Sequence, residues 1–121
     1  MMGRDNDACL AAVQLRAQQI ATLNDKLRRS AMGGRLYLTS GVSSFSQNDL
    51  VQILRAVRDF DQFDGDNDPY GEHDFGAFDY AGQKLFWKID YYDRDQRYAS
   101  PDPTDPKVTL RVLTILLASE W

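Results

Sequence analysis

The residues able to do chemistry gather between Asp59 and Tyr98. The chain's one histidine, His73, stands between Glu72 and Asp74. A histidine flanked by carboxylates can act as a general base, because an acid partner fixes its tautomer and stabilises the imidazolium that forms. Paired with Asp90, or with Tyr91 or Tyr98, it would suit hydrolysis of a phosphodiester. The competing reading is a histidine at the entry to a strand, held by Asp74 or by backbone. Upstream, Asp64-Gly65-Asp66-Asn67-Asp68 places oxygen donors at alternate positions, as a calcium loop does. That pattern then needs Gly at its sixth position and Glu at its twelfth. Pro69 and Phe75 stand there instead, so no metal site is expected. A single histidine and a single cysteine, Cys9, leave zinc short of its usual ligands. Gly33-Gly34-Arg35 follows a helical segment instead of opening one, and there is no Gly-x-Ser-x-Gly elbow. No cofactor is expected.

Charge offers a second kind of function. The formal net charge is −4, but residues 1–58 carry eight Lys/Arg against four acids, whereas residues 59–105 carry thirteen acids against four Lys/Arg. The acids bunch in two stretches, about 59–74 and about 93–106. Such a face repels nucleic acid, since affinity for phosphate comes from Lys and Arg, and it steers basic protein surfaces toward itself. The plainer reading is that acidic loops keep a small protein in solution. As contacts to a basic partner the pattern points to Asp64, Asp66, Asp68, Asp93 and Asp95. Tyr91 and Tyr98 would be aromatic anchors, a residue type enriched at interfaces. The same stretch can also neutralise itself, with Arg94 and Arg97 set against Asp90, Asp93 and Asp95.

The elements that must position these groups are readable from periodicity. From Asp7 to Ala31, the residues Val13, Ala17, Ile20, Leu23 and Leu27 recur at helical spacing. Asp5 or Asp7 would cap the start, and Gly33-Gly34 the end. Cys9 reads as a small apolar filler. Arg35 to Thr39 reads as a strand. Ser46 caps a second helix whose stripe is Leu50, Ile53, Leu54, Val57 and Phe60, with Phe45 and Leu50 placed as a hydrophobic staple. The polar loop 59–74 follows, pinned by Phe63 and Tyr70. Two strands, about 74–80 and 84–92, are joined through Ala81-Gly82-Gln83. In the second, Leu85, Trp87, Ile89 and Tyr91 alternate with Phe86, Lys88 and Asp90, so one face is buried. Val108 to Trp121 fits either element, and its β-branched residues favour a strand through the middle. The expectation is one α+β domain over residues 1–121, with two layers. Two helices would cover one face of a small antiparallel sheet of about four strands.

Several stretches carry a family resemblance. They are Asn67-Asp-Pro-Tyr-Gly-Glu-His-Asp-Phe-Gly-Ala-Phe78, Phe86-Trp-Lys-Ile-Asp-Tyr-Tyr-Asp93, Ser100-Pro-Asp-Pro103 and Arg111-Val-Leu-Thr-Ile115, together with Leu23-Asn-Asp25 and Gly33-Gly-Arg35. The chain resembles a family of short uncharacterised proteins from alphaproteobacteria and their plasmids, catalogued as a domain of unknown function. The resemblance implies a small bacterial protein, often in mobile-element settings, and it carries no functional residue with it.

Two functions therefore compete. One is a non-enzymatic acidic protein that occupies a basic surface on a protein partner, in its most concrete form a nucleic-acid-mimicking inhibitor of a defence system (anti-CRISPR or antirestriction). The other is a small hydrolase centred on His73, with Glu72, Asp74 and Asp90 as partners. A third possibility pairs two copies through Val13, Ile20 and Leu27, so the protein would be a monomer or a homodimer. With no long apolar run and no apolar stretch at its start, the chain is expected in the cytoplasm, away from membranes.

Overall fold

The first helical period is realised in full. A computed structural model describes residues 2–121, with side chains described from residue 8 onward. Helix α1 spans Met2–Ser30, so Asp5 and Asp7 lie inside it and do not cap it; their side chains fall outside the described residues. Ile20 and Leu27 are buried in the core, at 2% and 1% exposure. They are therefore not a surface on which two copies meet, and of the proposed dimer stripe only Val13 is exposed. Cys9 is exposed and fills nothing. The helix ends at Ala31, which takes a left-handed φ of 57° and donates its N–H to Leu27 O at 2.9 Å. Gly34 has a different duty. A Cβ there would stand 2.5 Å from the Arg111 carbonyl oxygen, so only glycine lets this link pass the sheet.

Strand β1 (Arg35–Leu38) runs into a short helix α2 (Ser40–Ser43) and then α3 (Gln47–Arg58). No periodicity or cap pattern marks α2 in the residues themselves. Ser46 caps α3 as expected, accepting Asp49 N–H at 3.1 Å. Phe45 and Leu50 both pack against the core. The hairpin β2 (Phe75–Tyr80) and β3 (Gln83–Tyr92) turns on Ala81 and Gly82, both at positive φ, which is the two-residue primed turn that suits strand twist. β4 (Leu110–Leu117) follows, then a 3-10 turn at Ala118–Glu120. Glu120 ties this end back to the start of the sheet, accepting from Thr39 Oγ1 at 2.6 Å and from the Gly41 N–H at 3.1 Å.

The architecture is α+β, with the sheet ordered β1-β4-β3-β2. One expectation needs correction: the sheet is mixed, not antiparallel. β1 pairs with β4 in parallel, while β3–β4 and β2–β3 are antiparallel. The chain leaves β1 through α2 and α3 before the hairpin forms, so β4 returns beside β1 in the same direction. Its central place also explains why Val108 to Trp121 was ambiguous. Leu110, Val112, Leu113, Ile115 and Leu116 are buried on both faces, and a strand covered on both sides loses its alternation. Leu85, Trp87 and Ile89 form the inner face, with Leu113 and Ile115 beside them. On the outer face Trp121 packs edge-on against Phe75 and Phe86, at 5.9 and 5.6 Å. No described helix is long and apolar enough to cross a membrane.

Candidate functional site

Everything that holds the loop 59–74 begins with apolar anchors. Phe60 and Phe63 pack edge-on against Trp87, at 5.5 and 6.1 Å between ring centroids. Tyr70, expected to be a second pin, is 78% exposed. Between these points the carboxylates make the turns. Asp64 accepts the N–H groups of Asp66 and Asn67, at 2.9 and 3.1 Å, the way Asp side chains stabilise turns generally. Asp68 points inward at 9% exposure and accepts the His73 backbone N–H at 3.1 Å. It is thus spent inside the loop and is not offered to a partner.

His73 sits at φ +55°. Its Nδ1 lies 3.1 Å from Asp25 Oδ1 on α1, and its Nε2 lies 3.8 Å from Asp68 Oδ2. The ring stacks flat on Phe63, 4.0 Å between centroids with planes 2° apart. Both ring nitrogens face carboxylates of the same chain. The histidine therefore links α1, the loop and the core.

Asp25 has a second partner, Arg28, whose side chain is fully buried; their ion pair is 2.8 Å long. Arg28 Nη1 also donates to the carbonyls of Val57 and Phe60, both at 2.8 Å, and of Arg58 at 3.2 Å. The Val57 and Arg58 carbonyls belong to the last turn of α3, where a cation complements the helix dipole, and Phe60 follows just past its cap. The guanidinium lies 5.0 Å from the Trp87 ring and 5.4 Å from that of Phe63.

One turn earlier, Asn24 is completely buried. Its Nδ2 donates to Glu72 O at 3.0 Å and to the Tyr91 hydroxyl at 2.8 Å, while its Oδ1 accepts Arg111 Nε at 2.9 Å. The Tyr91 O–H in turn donates a hydrogen bond to Glu72 Oε2 at 3.0 Å. Burial pushes the Tyr91 hydroxyl far above its ordinary pKa, so it remains a donor and no phenolate is available as a nucleophile or base. Arg111 stacks over Tyr91 at 5.3 Å and donates Nη2 to Pro103 O. Burial pulls its pKa down, and the nearby Tyr91 and Glu72 act against that. Asn24 thus joins the loop 59–74, through Glu72, to the loop that follows β3, through Arg111 and Pro103.

That second loop is organised the same way. Asp93 accepts the Arg97 N–H at 2.9 Å, Asp102 bonds Thr104 and pairs with Arg16 at 3.0 Å, and Arg94 reaches Thr109 O at 3.1 Å. The strand register brings the two loops to one end of the sheet: β2 starts opposite Lys88, and β4 starts opposite Tyr92, the last residue of β3. There Asp61, Asp64, Asp66 and Asp95 are exposed, Asp93 is half-buried and Tyr98 is 75% exposed. Asp90, expected to assist His73, is paired with Lys88 at 2.9 Å. Tyr91 belongs to the interior network. Among the described residues no group of histidine, cysteine and carboxylate side chains is arranged to hold a metal ion.

Asp74 lies half-buried beside this acidic end. Burial first, then the charges of Glu72, Asp68 and Asp90, raise its pKa above the usual carboxylate range. A carboxyl that binds its proton more tightly when folded destabilises the fold as pH rises past its unfolded pKa, and that cost is absent below it. Asp74→Asn is therefore expected to raise the melting temperature at pH 7 and to give no gain near pH 3, as thermal scans at the two pH values would show.

Sequence reasoning missed Asn24, Asp25, Arg28 and Arg111. A signal was present, since Ile20, Asn24 and Arg28 repeat at intervals of four along the buried face of α1. Polar residues in an apolar stripe announce a buried network.

Comparison with known proteins gives one match. A family model described as a protein of unknown function (DUF3768) matches residues 38–120. That span covers both acidic loops, His73 and Arg111, and leaves out Asn24, Asp25 and Arg28. No curated protein and no solved structure matches.

Proposed function

We propose that this chain, which belongs to the DUF3768 family of proteins of unknown function, acts as a non-enzymatic interaction protein whose acidic sheet end occupies a basic surface on a protein partner. The observation that carries this reading is the meeting of the two acidic loops at one end of the sheet. The carboxylates of Asp61, Asp64, Asp66 and Asp95 are exposed there and form no ion pair among the described residues. Exposed carboxylates on neighbouring loops stand in for phosphates, so the surface they fit is one built for nucleic acid. With the mobile-element setting that the resemblance implies, the concrete form is an inhibitor of a defence system, of the anti-CRISPR or antirestriction kind. Nucleic acid itself is repelled.

Affinity capture from a bacterial lysate at low salt, followed by a salt wash and mass spectrometry, tests this. The expected yield is a basic or nucleic-acid-handling protein released by salt. A parallel bait carrying Asp61→Lys, Asp66→Lys and Asp95→Lys should keep its melting temperature and lose the partner. Equal capture by that bait overturns the reading.

One observation favours the second reading, a hydrolase. His73 and Asp25 form a dyad at 3.1 Å, the arrangement that orients a general base. Against it, the other ring nitrogen faces Asp68, and the surrounding carboxylates repel a phosphodiester. His73→Gln should leave partner capture intact under the interaction reading. Under the hydrolase reading it should abolish turnover of bis(p-nitrophenyl) phosphate.

A further inference from the structure

Far from being uniform, the charge on this chain is divided, and its basic part surrounds an apolar groove. Strand β1 is an edge of the sheet, hydrogen-bonded to β4 alone, so one row of its backbone N–H and C=O groups is unpaired within the sheet. Beneath that edge lies a cavity of about 380 Å³, lined by Leu27 at the end of α1, Leu36 of β1, Val51, Leu54 and Arg55 of α3, and Leu113 of β4. Leu36 pairs with Leu113 in the register and shares its face, the one on which the helices pack. These groove side chains are unusually bare for apolar residues: Leu36 is 38% exposed, Val51 49% and Leu54 38%. The stripe on α3 was expected to bury Leu54, and it stops short because nothing in the described chain covers this corner.

The rim is cationic. Arg29, Arg55 and Arg58 all border the groove. Arg58 is paired with Asp59 at 2.9 Å, whereas Arg29 and Arg55 make no ion pair among the described residues. Arg28, also at the wall, is buried with its Nε unpartnered. A free strand edge, an apolar groove between that edge and a helix, and two available guanidiniums are together what strand addition requires. Backbone pairing supplies affinity, alternate side chains enter the groove, and forked donors meet carboxylates.

We infer that β1 and the α1–α3 groove accept an extended acidic peptide segment of a partner protein, added to the sheet as a strand. Its apolar side chains pack on Leu36, Val51 and Leu54, and its carboxylates meet Arg29 and Arg55. The groove adjoins the acidic sheet end, since β1 begins there and Arg35 Nη1 donates to Gln96 Oε1 at 3.3 Å, but its lining is opposite in sign, so the inference stands whether or not that end has the role proposed for it.

The test uses the full chain, ¹⁵N-labelled, titrated with an acetylated and amidated heptapeptide, Asp-Thr-Val-Thr-Val-Thr-Asp, whose valines and aspartates share one face of an extended strand. Saturable shifts at residues 35–38 and 51–58, with slowed amide exchange at 35–38, are expected. Arg55→Glu, on an exposed position of α3, should weaken binding by about tenfold or more. A heptapeptide with lysine in place of both aspartates, or with two prolines in place of the middle threonine and the valine after it, should not bind. No shift at 35–38 overturns the inference. Equal binding of the lysine peptide overturns the charge match, and equal binding of the proline peptide shows that the strand edge is not used. Concentration-dependent shifts at the same residues without peptide assign the groove to a second copy of the chain instead.

Discussion

Arg28→Met is expected to lower the unfolding free energy by about 3–5 kcal/mol, the range for removing one partner of a buried pair. Methionine keeps the volume and the apolar contact with Trp87 and Phe63, so the loss isolates the charge and its donors. Without the guanidinium, Asp25 loses its 2.8 Å ion pair, and the carbonyls of Val57, Arg58 and Phe60 lose their donor at the end of α3. Against a total stability of about 5–15 kcal/mol, the variant should be marginal at room temperature. Urea unfolding followed by circular dichroism measures it. Arg28→Lys should recover only part of the loss, because one ammonium cannot span three carbonyls and a carboxylate. A loss below about 1 kcal/mol for the methionine variant would mean that the pair is offset by its own desolvation.

The second large effect belongs to Asn24. Asn24→Leu removes the partner of Arg111 Nε, of Glu72 O and of the Tyr91 hydroxyl together. Leaving buried polar groups unmatched costs about 1–3 kcal/mol each. Since relaxation and water recover some of this, a net loss of about 2–4 kcal/mol is expected. The functional consequence is sharper than the stability alone, because this one side chain holds both acidic loops to α1. Hydrogen exchange should speed up in residues 68–73 and 100–105, while β2 and β3 keep their protection. If both loops keep wild-type protection, they are held by their own turns and by the Asp25–His73 and Arg16–Asp102 pairs, and Asn24 is not their common anchor.

The sequence made some of this legible and hid the rest for definite reasons. Local signals were reliable: the Ser46 cap, the Ala81-Gly82 turn and the alternation of Leu85, Trp87 and Ile89 depend on residues only a few positions apart. Nonlocal facts were not available to periodicity. The direction of β1 against β4 is set by how α2 and α3 carry the chain between them, and α2 itself is a single turn without a distinctive pattern. In the site, His73 was visible because histidine is unique in the chain. Its partner Asp25 lies 48 residues away on another element. The expected neighbour Asp74 proved to be a half-buried acid, and Asp68 turned inward as a loop-builder, because a carboxylate's role depends on which N–H groups the folded backbone brings to it. Asp64, Asp66 and Asp95 are exposed as the charge pattern suggested, and Asp61 joins them.

The most direct test of the acidic-end reading is the salt dependence of affinity for the protein that capture identifies, measured by titration calorimetry with the wild-type chain and the triple lysine variant. Exposed charge pairs are screened within about 10 Å at 0.1 M salt. The wild-type Kd should therefore weaken by at least about tenfold as salt rises from about 50 to about 200 mM. The variant, equally stable, should bind too weakly to measure at any salt. A wild-type Kd indifferent to salt, or a charge-reversed chain that binds as tightly as the wild type, would contradict a function carried by these carboxylates.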